Sequence, residues 1–139
     1  MDGEINALEI SGAGLAAQRI RMNVLAENLA NAETTRTAEG GAYRRKLVVF
    51  GSEPVPAFGD SLAAARVKVV EVRESAEPLR RIHAPAHPDA DAAGYVTLPN
   101  VNPVLEMVDL LAATRAYEAN VTAIQSAKSM AAKALEIGR

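Results

Sequence analysis

Apolar residues in the first part of the chain recur at every seventh place: Leu8, Leu15, Met22 and Leu29, with Ile5 and Leu25 beside that line. This spacing predicts a helix over residues 4–31 whose stripe resembles one seam of a coiled coil. The companion positions are weak, because Gly12, Arg19 and Ala26 stand where a strong dimer places large aliphatic residues. The run SGAG puts two glycines inside the helix, each costing about 1 kcal/mol relative to alanine. Either the helix bends there or another backbone comes very close. Asn31 is suited to a left-handed helix stop.

The pattern then changes. AETTRTAEGGA (32–42) is polar and reads as a loop, and AYRRKLVVF (42–50) has the β-branched and aromatic content of a strand. GSEPVPAFGDS (51–61) interrupts it with proline and glycine. ARVKVVEVRES (65–75) alternates Val67, Val69 and Val72 with Lys68, Glu71 and Arg73, which predicts a second, half-buried strand. So few strands bury little surface, so a small antiparallel element resting on helices is expected.

The third part opens at Asn102-Pro103, a favoured N-cap followed by a favoured first helical residue. From there Met107, Leu110, Thr114, Tyr117, Val121, Ile124, Lys128, Ala131 and Leu135 form a stripe through four heptads. A neighbouring face of Ala113, Ala116, Ala123, Ala127 and Ala134 is slim enough for close approach of a second helix. Glu106 and Asp109 lie in the first turns and Lys133 and Arg139 at the end, as the helix dipole prefers, with Gly138 a natural stop. Such a helix is about 50 Å long and should project from a body of this mass. The expected fold is mainly α with a small β element. Long N- and C-terminal helices (1–31 and 102–139) pair as a coiled coil, and short antiparallel strands lie between them in a middle region (32–101).

Composition sharpens this picture. Hydrophobic residues make up 49% of the chain but aromatics only 4%, without tryptophan, which suits slim helix seams better than a thick core. The formal charge is −2 and the only dense basic cluster is Arg44, Arg45 and Lys46, so no nucleic-acid partner is expected. The absence of cysteine removes disulfide and thiol chemistry. No cleavable secretory signal is expected at the start, and no stretch is apolar for the ~18 residues of a membrane span, so direct membrane insertion is not expected either.

One run concentrates the candidate chemistry: HAPAHPDADAAGYVTLPNVNP, residues 83–103. His83 and His87 are four apart, a spacing that serves metal binding on a helix, but Pro85 and Pro88 remove that helix. Asp89, Asp91 and Gly94 match positions one, three and six of a calcium loop, yet position five is Ala93 and position twelve, where a bidentate carboxylate is needed, is Asn100. No serine or cysteine nucleophile accompanies the histidines. GAG at 12–14 lies in a helical pattern with no preceding strand, so it is no phosphate loop. The chain is therefore read as no enzyme and without cofactor; a small metal-dependent enzyme built on His83–Asp91 is the rival reading. A second candidate is polar. Asn28 and Asn31 lie three apart beside the Leu25/Leu29 stripe, where their amides could fix the register of a helix interface, with Asn120 as a candidate partner.

RMNVLAENLANAET, YRRKLVVF, HPDADAAGYVTLPNVNPVLEMVDLLAATRAYEANV and AKSMAAKALEIG, in that order, resemble the FlgC family of flagellar basal-body rod proteins, and the likeness runs over nearly the whole chain. The resemblance implies a structural subunit of the proximal rod that crosses the periplasm. Its partners would be other rod subunits and copies of itself. It also implies signal-independent export by the flagellar type III apparatus, and terminal helices that pair as an inner coiled-coil layer with a small β region outside. On that reading the assembly interface comprises Leu8, Leu15, Met22, Leu25, Asn28, Leu29 and Asn31 with Met107, Leu110, Tyr117, Asn120, Val121, Ile124 and Leu135. The 83–103 run becomes a joint between β element and C-terminal helix, carried by His87, Pro88, Asp89, Asp91, Gly94, Tyr95, Pro99, Asn100, Asn102 and Pro103.

Overall fold

The computed structural model describes residues 2–55 and 64–137, with side chains of the first helix described from Ala7 onward. Two long helices carry two small antiparallel sheets: α1 (Asp2–Ala30), β1 (Lys46–Val55), β2 (Ala64–Glu74), β3 (Arg80–His83), β4 (Tyr95–Leu98) and α2 (Pro103–Ile137). β1 pairs only with β2 and β3 only with β4. The expected stop at Gly138 and Arg139, and residues 56–61 of the expected interruption, lie outside the described residues.

The helices run antiparallel. Asn28 meets Glu106, Met22 meets Thr114, and Gly14 abuts Asn120, so rising numbers on α1 meet falling numbers on α2. The seam centres one step away from the expected stripes. On α2 it is Glu106, Ala113 and Ala127 that are buried, with Asn120 in the same sevenfold line, whereas Met107 and Leu135 are 46% and 71% exposed. Leu8, Leu15, Met22 and Leu29 are half-buried at the seam's edge, as are Leu110, Tyr117, Val121 and Ile124. The reason is steric. Slim residues at the centre let the two backbones close up, and larger aliphatic side chains then flank the contact.

Gly14 shows how tight this is. A Cβ built there would lie 2.7 Å from Asn120 Oδ1, and Asn120 is tethered by donating from Nδ2 to the Ala116 carbonyl at 2.8 Å. Gly12, two residues earlier, has open space at the same atom. Gly12→Ala should therefore raise stability by about 1 kcal/mol through helix propensity. Gly14→Ala should lower it, and the loss should shrink when Asn120 is also alanine. Chemical denaturation of the four variants checks both signs.

The β1–β2 hairpin lies along a different side of α1. Lys46 at its start pairs with Glu27, and Arg66 near its far end pairs with Glu9 and Glu53. Eighteen helical residues span about 27 Å, which a ten-residue strand matches at about 33 Å. β1 does not stop at Gly51 as expected but continues through Pro54 to Val55. Pro54 faces Ala65 at the end of the ladder, where a missing N–H costs little.

The β3–β4 hairpin was not expected. Arg80–His83 reads as a polar run and its partner Tyr95–Leu98 lies inside the supposed joint, so neither four-residue strand carries a period. Val96 and Pro99 are buried, and so is Val101, which clusters with Ala32 and Tyr43. Apart from this cluster and Leu25, the buried apolar residues are mostly alanine and valine.

Candidate functional site: a buried polar lock and a tied loop

Where α1 ends, α2 begins and β1 starts, the chain buries polar groups instead of apolar ones. Asn28 is fully buried. Its amide Nδ2 donates to the Lys46 carbonyl at 2.9 Å and to Glu106 Oε2 at 3.0 Å. Its Oδ1 accepts from the Lys46 N–H at 2.8 Å and from the Tyr43 hydroxyl at 2.9 Å. All the ordinary capacity of an amide side chain is used. Asn28 thus bonds the first residue of β1 through both N–H and C=O, as a neighbouring strand would.

Glu106 is 1% exposed and sits in the first turn of α2. Its second oxygen accepts from Arg45 Nε, and Arg45 also reaches Asp109 at 3.7 Å, which Arg21 of α1 approaches at 3.3 Å. The backbone N–H of Arg45 donates to Asn100 Oδ1 at 2.8 Å, and Asn100 Nδ2 donates to the Glu77 carbonyl. Asn102 caps α2 by accepting from the N–H groups of Val104 and Leu105. One network therefore joins both helices, the start of β1, the link between β2 and β3 and the passage into α2.

Tyr43 belongs to this lock. Burial, with Glu27, Glu106 and Glu74 nearby, pushes its hydroxyl up to about 12. The neutral phenol is the form that folds, so its contribution is intact below about pH 10, the unfolded value, and is lost as pH rises from there towards 12. Thermal stability should fall across that window, read as the melting midpoint against pH.

The 83–103 run divides into pieces. His87, Pro88, Asp89 and Asp91 stand in the loop that closes the β3–β4 hairpin, not at the passage to α2; this corrects the reading of the whole run as one joint. Tyr95 is 42% exposed on β4, and only Pro99–Asn102 lead into the helix. Asp91 accepts from the N–H groups of Ala93 and Tyr95, both at 2.9 Å, while Gly94 turns with φ +79°. Asp91 also takes Arg81 at 2.7 Å. Asp89 accepts from Thr35 Oγ1 at 2.7 Å and from Arg36, fastening the loop after α1 to the hairpin, and its own N–H donates to His87 Nδ1. His83 packs edge-on against Tyr95 at 5.1 Å.

The Tyr95 and Ala93 N–H groups and Arg81 hold the Asp91 carboxyl below its usual range; the Thr35 hydroxyl, then Arg36 and His87, do the same for Asp89. These tethers contribute above the unfolded carboxylate value of about 3.9 and are lost as pH falls through the lower folded values. Amide exchange at Gly94 and Tyr95 should be flat from pH 5 to 8, after correction for intrinsic rates, and accelerate only below about pH 4. Asp91→Asn should remove that acid limb.

Among the described residues no group of three or more His, Asp or Glu side chains converges as a metal site requires, and no helix is long and apolar enough to cross a membrane. Asn120 is not the partner of Asn28, standing some four turns along α2 from Glu106 and packing on Gly14 instead. Asn31 works locally, donating to the Glu27 carbonyl and accepting from Thr34. The sequence reading missed Tyr43, Arg45 and Glu106. The available signal was a glutamate three residues into an otherwise apolar helix start, beside a lone basic cluster.

Comparison with known proteins covers both helices and the joint. Residues 8–36 match the family model described as flagella basal body rod protein, and residues 92–137 match that of the flagellar basal body rod FlgEFG protein C-terminal region. The chain is 42% identical to the flagellar basal-body rod protein FlgC of Borreliella burgdorferi, covering 97% of each. It is 43% identical to that of Bacillus subtilis, covering 96% of this chain and 97% of the relative. It is also 43% identical to that of Salmonella typhimurium, covering 97% and 98%. With likeness of that degree over nearly its whole length, the chain belongs to the FlgC family of flagellar basal-body rod proteins.

Proposed function

We propose that the chain is a structural, non-enzymatic subunit of the proximal rod of a bacterial flagellar basal body. It passes through the flagellar type III export apparatus without cleavage and polymerises with other rod subunits and copies of itself in the rod that crosses the periplasm. Family membership is the observation that carries this reading. The surface supports it. Val104, Leu105, Val108 and Leu111 of α2 are each 58–65% exposed, an apolar strip that soluble monomers seldom leave uncovered. The three parts 1–31, 32–101 and 102–139 then serve as inner helix, outer β region and second inner helix, the two helices pairing as a coiled coil. The lock around Asn28 fixes how the three meet, and the sidedness of the strip leaves α2 ready for a neighbour. The tied loop around Asp91 is a turn that stiffens the hairpin.

In cells lacking their own copy, the wild-type chain should restore swimming and His87→Ala should swim nearly as well. Leu29→Asp and Val121→Asp should not, since each puts an unpaired charge at the half-buried edge of the helix seam, where assembly would exclude water from it. Loss confined to the His87 variant would replace this reading with one centred on the hairpin loop.

A further inference from the structure

The β1–β2 ladder is broken at one place. Lys46 to Val49 pair in order with Glu74 to Glu71, but Phe50 then faces Val69, so Val70 is an extra residue on β2. A bulge of this kind bends its strand and sharpens the local twist. Val70 leans over Gly51: a Cβ built on that glycine would lie 2.7 Å from Val70 Cγ2. Burial changes at the same point. Val70 to Glu74 are all exposed, whereas Ala64, Arg66, Val67 and Val69 are half-buried.

The bulge also decides which way Arg66 points. It brings Arg66 opposite Glu53, and Arg66 pairs with Glu53 at 3.1 Å and with Glu9 of α1. An unbulged ladder would run on one residue out of step, setting Arg66 opposite Pro54 with its side chain on the other face. The root of the hairpin is fastened separately, by the Asn28 bonds to Lys46 and the Lys46–Glu27 pair. Near the bulge there is empty space. A cavity of about 330 Å³ lies between Leu47, Val48 and Phe50 of β1 and Val24 and Leu25 of α1.

We propose that the Val70 bulge, seated on Gly51, is a hinge, and that the outer half of the hairpin (50–55 and 64–69) is a strap. Arg66 clasps it to α1, and it can lift while the root stays paired. Closed, the hairpin lies along the side of α1 from Glu9 to Glu27, towards which Ala17 and Val24 turn; these are 3% and 8% exposed. Lifted, the strap bares the N-terminal part of that side. The clasp suits reversible closure. Its three side chains are 36–40% exposed, so water replaces their pairing at small cost. The Asn28 bonds at the root are made by a fully buried amide and hold. The device belongs to the chain alone, whatever the chain assembles with.

Native-state amide exchange on the whole chain separates a hinged hairpin from a rigid one. Arg66→Gln removes the charge of the clasp. Protected amides at 50–55 and 64–69 should then exchange about three- to fivefold faster, while those at 46–49 and 71–74 keep their wild-type rates. Any pattern in which the outer side does not accelerate more than the root overturns the hinge. Gly51→Ala tests the seat. The added methyl must displace Val70, so the outer half should be released in the same pattern. Gly51→Ala combined with Val70→Ala should return the outer amides to near their wild-type rates, because Cγ2 is then gone. If the double variant stays as fast as Gly51→Ala, Val70 is not what the glycine seats, and the hinge assignment falls.

Discussion

Asn28→Asp should be among the most damaging single-atom changes in the chain, costing about 3–5 kcal/mol as for a broken buried charge network. The new carboxylate keeps two acceptor bonds, from the Lys46 N–H and the Tyr43 hydroxyl. It loses both donors, however, and so faces the Lys46 carbonyl and the buried Glu106 carboxylate with nothing to give. Asn28→Ala should cost less, because it removes four bonds without adding a charge, although Glu106 and the Lys46 carbonyl each lose a donor. Urea denaturation of the two variants should rank aspartate below alanine. The reverse order would mean that Glu106 is not held as a carboxylate beside this amide.

The second large effect is one of space. Ala113→Leu should destabilise the fold by about 3 kcal/mol, at the upper end for overpacking. Ala113 is 0% exposed at the centre of the helix seam, level with the contact between Met22 and Thr114. Extra methylenes there must push α2 away from α1, and the rigid bonds of the nearby lock do not stretch to follow. Ala112→Leu, one residue earlier and exposed, should be neutral in the same denaturation experiment. Equal effects at the two positions would show that the seam is elsewhere.

The sequence made the helices legible because their signals are local. The N-cap at Asn102 is seen in bonds to Val104 and Leu105, and heptad spacing marked both helices as half-buried stripes. The seam's centre was misplaced because hydrophobicity points to the largest aliphatic residues, whereas close packing selects the smallest. Gly14, Ala113 and Ala127 carry almost no hydrophobic signal. The lock was illegible for a related reason. Glu106 in a first helical turn is explained by the helix dipole alone, and nothing in the linear pattern says that Arg45 and Asn28 will arrive beside it. Asn28 was singled out for its place on the stripe, but its partners come from the strand and the helix start, not from another amide. The β3–β4 hairpin needs its pairing to be seen at all, since four exposed residues in β3 show no alternation.

The lock and the seam together give the subunit an uneven stability. Buried residues on α2 end at Ala127, while Met130, Leu135 and Ile137 are 59%, 71% and 87% exposed. The end of the pair held by Asn28 and Glu106 should open only with global unfolding, and the far end should open easily until a neighbour covers it. Native-state amide exchange on the dilute, purified chain tests this most directly. The expected result is slow exchange for residues 22–30 and 106–117, and fast exchange from 128 onward. Uniformly slow exchange along both helices would contradict it, because it would show that the chain completes its own helix pair without any other subunit.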